Sequence, residues 1–178
     1  MKIRRGDPVP TFVMTDTSGE KIDSRDLRGR RWLISFYRYA GCPLCNLRIH
    51  TLSEQAPRWQ ETGFRLLAVF ESDRESIQKR VGREQRPFPL IPDPGRDVYR
   101  QFGVESSWLK FIRGAIPVLQ GMAKGFLPGK MEGDIAIVPA DFLIDEQGII
   151  AVAYYGRHIG DHLPLETIER FINGKELI

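Results

Sequence analysis

The chain of 178 residues, 42% of them hydrophobic, is long enough to bury one full core and short enough to predict a single domain spanning 1–178. Its 26 Lys plus Arg stand against 23 Asp plus Glu, and the net charge of +3 is too small, and too scattered through "RRG", "RGRR" and "KRVGREQR", to argue for a nucleic-acid partner. No apolar run reaches the roughly 18 residues of a membrane span, and "MKIRRGDPVP" has no apolar stretch behind its charges, so the expectation is a cytoplasmic protein with no membrane partner.

Along the chain, strands and helices alternate. "RWLISFY" and "FRLLAVF" are short continuous apolar runs rich in aromatic and branched residues, the pattern of strands buried on both faces. Between them a helix opens at Pro43 and closes before Gly63, with Pro57 inside it expected to kink or split it. "SDRE" reads as a capping box, Ser72 with Glu75, opening a helix that turns Ile77 and Val81 inward. A further helix lies in "RDVYRQFG". The segment at about 104–133 is apolar but broken by Gly114, Pro117 and Gly121, and reads as an insertion that completes the core or forms a dimer or partner surface. "ADFLIDEQGIIAVAYY" is a hairpin about the turn from Asp145 to Gly148, and "LPLETIERFI" is a last helix with Ile168, Phe171 and Ile172 inward. The fold class is α/β, a central sheet flanked by helices.

The two cysteines, Cys42 and Cys45, stand at C-x-x-C spacing in "YAGCPLCNLR". In a reducing compartment such a lone pair is a poor structural staple. Cys45, Ile49, Leu52, Ala56 and Trp59 recur at the spacing of a helix stripe facing a sheet, which places Cys45 inward. Cys42 precedes Pro43 at the helix start, where free N–H groups and the positive end of the helix dipole favour a thiolate. The expectation is an exposed Cys42 that attacks and a buried Cys45 that resolves, one helical turn away. Two cysteines acting only as small buried hydrophobes would account for Cys45 but not for a partner at the cap.

The chain resembles a known family. "GDPVPTFVMTDTSGEKIDSRDLRGRRWLISFYR" and "FPLIPDPGRDVYRQFGV" are similar to segments of the alkyl hydroperoxide reductase and thiol-specific antioxidant proteins, the peroxiredoxins. "IVPADFLIDEQGIIAVAYYG" is similar to the thioredoxin-like side of the same superfamily, and "GDH" at Gly160, Asp161 and His162 resembles the C-x-x-C subtype. The resemblance implies a thioredoxin-like fold with a cis bond at Val138–Pro139 facing the cysteines.

Departures from that pattern bear on the reaction. Peroxiredoxins carry P-x-x-x-T-x-x-C, but counting back from Cys42 gives Tyr39 and Ser35, and counting back from Cys45 gives Cys42 and Arg38. The arginine expected six residues before the aspartate of "FLID" falls on Pro139. Arg157 is the candidate replacement cation, against the alternative of a surface arginine at a strand end. Tyr39 is a candidate hydrogen-bond donor, against simple packing at the strand exit. A competing reading joins Cys42 and Cys45 to His158 and His162, an H-x3-H pair, as a zinc site. His50, beside Ile49 on the long helix, reads as a solvent-facing or satisfied histidine. The expected function is a thiol-dependent antioxidant oxidoreductase, without metal or cofactor, that reduces hydroperoxides through a Cys42–Cys45 disulfide. The alternative is a protein disulfide reductase. In both cases a dithiol such as a thioredoxin or glutaredoxin supplies the electrons.

Overall fold

The computed structural model describes residues 1–82, 86–108, 133–134 and 136–176. Among the described residues there are seven strands: β1 (Val13–Thr15), β2 (Lys21–Asp23), β3 (Trp32–Phe36), β4 (Arg65–Phe70), β5 (Leu90–Pro92), β6 (Ala140–Ile144) and β7 (Ile150–Tyr155). Among the described residues the helices are α1 (Pro43–Glu61), α2 (Arg74–Arg80), α3 (Asp97–Gln101) and α4 (Leu165–Ile172). The main sheet has the order β5-β4-β3-β6-β7, with β3, β4 and β5 parallel and β6 and β7 antiparallel to their neighbours. β1 and β2 form a separate antiparallel pair. The expected mixed α/β sheet is therefore present, and β6–β7 is the expected hairpin.

Side-chain alternation in β3 divides the core into two layers. Leu33 and Tyr37 face the layer of α1 and α4 with Ile49, Leu52, Ala56, Trp59, Ile168 and Phe171. Trp32, Ile34 and Phe36 face the layer of α3 with Val98, Tyr99 and Phe102. On that second side Phe36 lies 4.9 Å from Tyr99 and 5.0 Å from Phe102, edge-on or tilted, so the aromatics interlock rather than merely fill space.

Two local expectations are corrected. α2 is capped by Asp73, whose Oδ1 accepts from the Ser76 N–H at 2.7 Å, and not by Ser72. The Ser72 hydroxyl is used instead to accept the Ala40 N–H at 2.9 Å, in the loop that leads into α1. Pro57 does not split α1, which runs unbroken to Glu61. It sits in the last turns, where the missing N–H costs a single helical bond near the end. Of the apolar insertion, residues 109–132 lie outside the described residues; Trp108 at its start is exposed. No described helix is long and apolar enough to cross a membrane.

Candidate active site

The site grows from the end of β3. Tyr37 continues the strand pairing, donating its N–H to Val69 O at 2.8 Å, and Arg38 O accepts the Glu71 N–H at 3.2 Å. The chain then folds back sharply: Cys42 N–H donates to Tyr39 O at 3.1 Å, and the Asn46 side-chain amide ties down the carbonyls of Ala40 and Cys42 at 2.9 and 3.0 Å. With the Ser72 bond to Ala40, this fixes residues 38–42 against both β4 and α1.

Cys42 is the N-cap of α1, extended at φ −74° and ψ 120°, followed by Pro43. The cap position that Ser, Thr or Asp usually fills here holds a sulfur, near the N–H groups of Leu44 and Cys45 although no capping hydrogen bond is closed. Arg38, itself buried, brings Nη1 to 3.4 Å from the Cys42 Sγ and lays its guanidinium 5.2 Å from the centre of the Tyr39 ring. Burial alone pushes the Cys42 thiol up. The Cys45 thiol hydrogen bond, the Arg38 charge and the two amides outweigh it, and the thiol is lowered to about 6. Cys45 is pushed up, by burial first and then by its bond to Cys42 and that neighbour's charge. Near neutral pH the stable arrangement is therefore a Cys42 thiolate accepting from a Cys45 thiol.

The sequence places both cysteines on the correct turn and Cys45 in the buried stripe Ile49, Leu52, Ala56, Trp59. Cys42, expected to be exposed, is buried as completely as Cys45. The loop that positions it also covers it, and its charge is stabilised by a guanidinium and helix amides in place of water. Arg157 is not the cation at this sulfur: its side chain is 80% exposed and pairs through Nε with Asp161 Oδ2 at 2.8 Å. Arg38 takes that place; its only sequence signal was its position four residues before Cys42, at the exit of a buried strand. Tyr39 is buried; its carbonyl closes the turn at Cys42, and its phenol is pushed up by burial and then by the Cys42 charge. The Val138–Pro139 bond is trans, not cis, since no cis peptide occurs among the described residues. Trans is the default in the absence of a packing demand, and here the flanking groups bond outward, Val138 N–H to Glu105 O at 3.0 Å and Pro139 O to Gly156 N–H at 2.9 Å.

The two histidines of the zinc reading are engaged elsewhere. His158 Nδ1 accepts the Gly160 N–H at 3.2 Å, and His162 Nδ1 lies 3.0 Å from Asp141 Oδ2. Among the described residues no three His, Cys, Asp or Glu side chains converge as metal ligands would.

A second polar group behind the cysteines was not anticipated. Asp141 on β6 is fully buried and faces the α1 layer, where it accepts from the Ser35 hydroxyl, the Leu163 N–H at 2.7 Å and His162. Burial pushes its carboxyl up, but the His162 charge and hydrogen bond, with Arg48 and Ser35, hold it below the ordinary carboxylate range. Tyr37 is stacked at 4.9 Å on Phe70 and lies 5.1 Å from the His162 ring, so this network and Cys45 share one core layer. The only sequence signal was an acid inside "ADFLI", in phase with Leu143 on the α1 side.

Comparison with known proteins agrees with this architecture. The family model of the AhpC/TSA family matches residues 5–153. The Mycobacterium tuberculosis protein Rv2521, which carries a peroxiredoxin name, is 22% identical over 165 residues, covering 91% of each chain. The thiol-disulfide oxidoreductase ResA of Bacillus anthracis is 27% identical over 104 residues, covering 58% of this chain and 60% of its own. Among solved structures, peroxidoxin BcpB of Mycobacterium tuberculosis superposes with a TM-score of 0.64 at 19% identity over 86% of both chains, a likeness that establishes the thioredoxin-like fold. With most of its length, residues 5–153, matched by the family model, the chain belongs to the AhpC/TSA family.

Proposed function

We propose that this protein reduces hydroperoxides through a Cys42–Cys45 disulfide cycle. That it is a thiol-based oxidoreductase follows from its family and relatives; the oxidant and the residue roles are the proposal. The observation that carries it is a buried sulfur at a helix start, 3.4 Å from Arg38 Nη1, with a second thiol hydrogen-bonded to it one turn on.

In the first step the Cys42 thiolate attacks one peroxide oxygen. The S–O bond forms, the O–O bond breaks, and the leaving oxygen departs as alcohol or water after taking a proton. Arg38 lies where it can hold the oxygen on which negative charge develops. Cys45 then attacks the resulting sulfenic acid; the S–S bond forms and the hydroxyl leaves as water with the Cys45 proton. A dithiol of the thioredoxin or glutaredoxin class returns two electrons and two protons by exchange.

The site lacks the threonine hydroxyl, replaced by Tyr39, and has Pro139 where an arginine is expected. Each missing donor costs on the order of a hundredfold in rate, so turnover is slow beside that of efficient peroxidases. The likeness to ResA and the C-x-x-C pair favour a second reading, protein disulfide reduction by the same two sulfurs. Parallel turnover assays with hydrogen peroxide and with a disulfide-bonded protein decide between them. Peroxide consumption that requires both cysteines supports the proposal, whereas disulfide reduction with no peroxide consumption replaces it with the second reading.

A further inference from the structure

Arg38 serves more than the cysteines. At the C-terminal edge of the sheet β3 and β4 run in register, Phe36 beside Val69, and two residues further on the Glu71 N–H bonds to the Arg38 carbonyl at 3.2 Å. Glu71 and Arg38 are therefore strand neighbours, about 5 Å apart along the hydrogen-bonding direction. The Glu71 carboxylate is only 6% exposed and is held in place. Oε2 accepts the Asp134 N–H at 2.9 Å, and Oε1 lies 3.5 Å from Arg96 Nε. The Gly133 backbone, at φ +63°, presses so closely on it that a Cβ there would stand 2.6 Å from its Cδ. Among the described residues the charged and titratable groups facing Glu71 are Arg38 from the exit of β3, Arg96 and Tyr99 from α3 and its cap, and Asp134 from the 133–134 segment. Burial pushes Glu71 up, and the two arginines oppose that.

We propose that Glu71 is a positioning residue for Cys42: fixed beside Arg38, it shares the guanidinium charge with the Cys42 thiolate, so that each negative charge weakens the other. Arg38 acts on both groups, on Cys42 directly at 3.4 Å and on Glu71 behind the nearer Arg96. When Glu71 is neutral the guanidinium is left to the sulfur and Cys42 becomes a stronger acid. When the cysteines are joined in a disulfide the thiolate charge is gone, and Glu71 becomes the stronger acid. By reciprocity the two shifts are equal. The inference rests on Cys42 being the attacking thiolate, but it is tested without any oxidant, so its failure is distinct from failure of the peroxidase reading.

The test is the pH dependence of iodoacetamide alkylation of Cys42 in the reduced full-length chain, followed by mass spectrometry. Glu71→Gln should lower the titration midpoint of Cys42, with the acid dissociation constant rising on the order of tenfold, the effect of one charge at this range in a protein interior. A Glu71 that merely anchored residues 133–134 would lower the melting temperature and leave that midpoint in place. A midpoint that is unchanged or raised overturns the proposal. The reciprocal measurement leaves the Glu71 clamp untouched: the Glu71 carboxyl is followed by NMR in the reduced wild type and in Cys42→Ser. In the wild type the Glu71 titration should carry a second inflection at the Cys42 midpoint, where the thiolate forms, and Cys42→Ser should lack it; identical curves overturn the coupling even if Glu71→Gln does not fold.

Discussion

Arg38 shows how a single residue decides the chemistry of its neighbours. A guanidinium buried at 3.4 Å from a sulfur stabilises the thiolate directly, because little water is present to screen it. Arg38→Gln should therefore raise the Cys42 midpoint from about 6 toward the ordinary cysteine value. Alkylation and peroxide rates at neutral pH should fall on the order of tenfold. Arg157→Ala should change either rate by less than about twofold, since its charge is spent on Asp161 at the surface. Stopped-flow oxidation of the two variants side by side checks both outcomes. The residue patterns made the cysteine pair legible, since a helix stripe and a proline mark which sulfur is inside and which is at the cap. Arg38 and the burial of Cys42 were not legible in the same way. A charged side chain reads as surface by default, and the burial of the loop that carries an N-cap depends on groups distant in sequence, such as the Ser72 hydroxyl that holds Ala40.

At the scale of elements, the link between β6 and the loop before α4 carries the most exposed risk. Asp141 is a carboxylate with no exposure, tolerated because Ser35, Leu163 and His162 surround it with donors. His162→Ala removes one partner and leaves a buried charge undercompensated, a loss of about 3–5 kcal/mol. The pH dependence has a definite sign. Because the folded Asp141 carboxyl is held below its unfolded value, its contribution is complete above the ordinary carboxylate range and is lost as pH falls through the folded value. In His162→Ala that carboxyl moves up toward or past its unfolded value, so the deficit in urea unfolding midpoint relative to the wild type should be full at neutral pH and shrink as pH falls through the carboxylate range; parallel curves displaced by a constant amount would contradict this role. Of these elements, the long buried runs of β3 and β4, the β6–β7 hairpin and the stripe of α1 were readable from periodicity. The three-residue strands β1, β2 and β5 were not, because alternation cannot declare itself over so few residues.

At the scale of the whole molecule, the parallel strands β3 and β4 deliver Arg38 and Glu71 to one edge of the sheet, and α1 starts from that edge with its dipole aimed at Cys42. Two hydrophobic layers pack against the sheet behind this edge, and the backbone bonds of Tyr37, Arg38 and Tyr39 place the groups around the sulfur. The overall sheet and the family were visible in ordered segments of the sequence. The trans Val138–Pro139 bond and the departures at Tyr39 and Pro139 show that this edge is built with its own residues, which resemblance alone did not supply. The central claim is the division of labour between the two sulfurs, and the most direct measurement is the mass-spectrometric identification of the products after the reduced chain is mixed rapidly with hydrogen peroxide. The account predicts a Cys42–Cys45 disulfide in the wild type, a sulfenic acid on Cys42 in Cys45→Ser, and an unmodified Cys45 in Cys42→Ser; first oxidation at Cys45, or equal oxidation of the two single variants, would contradict it.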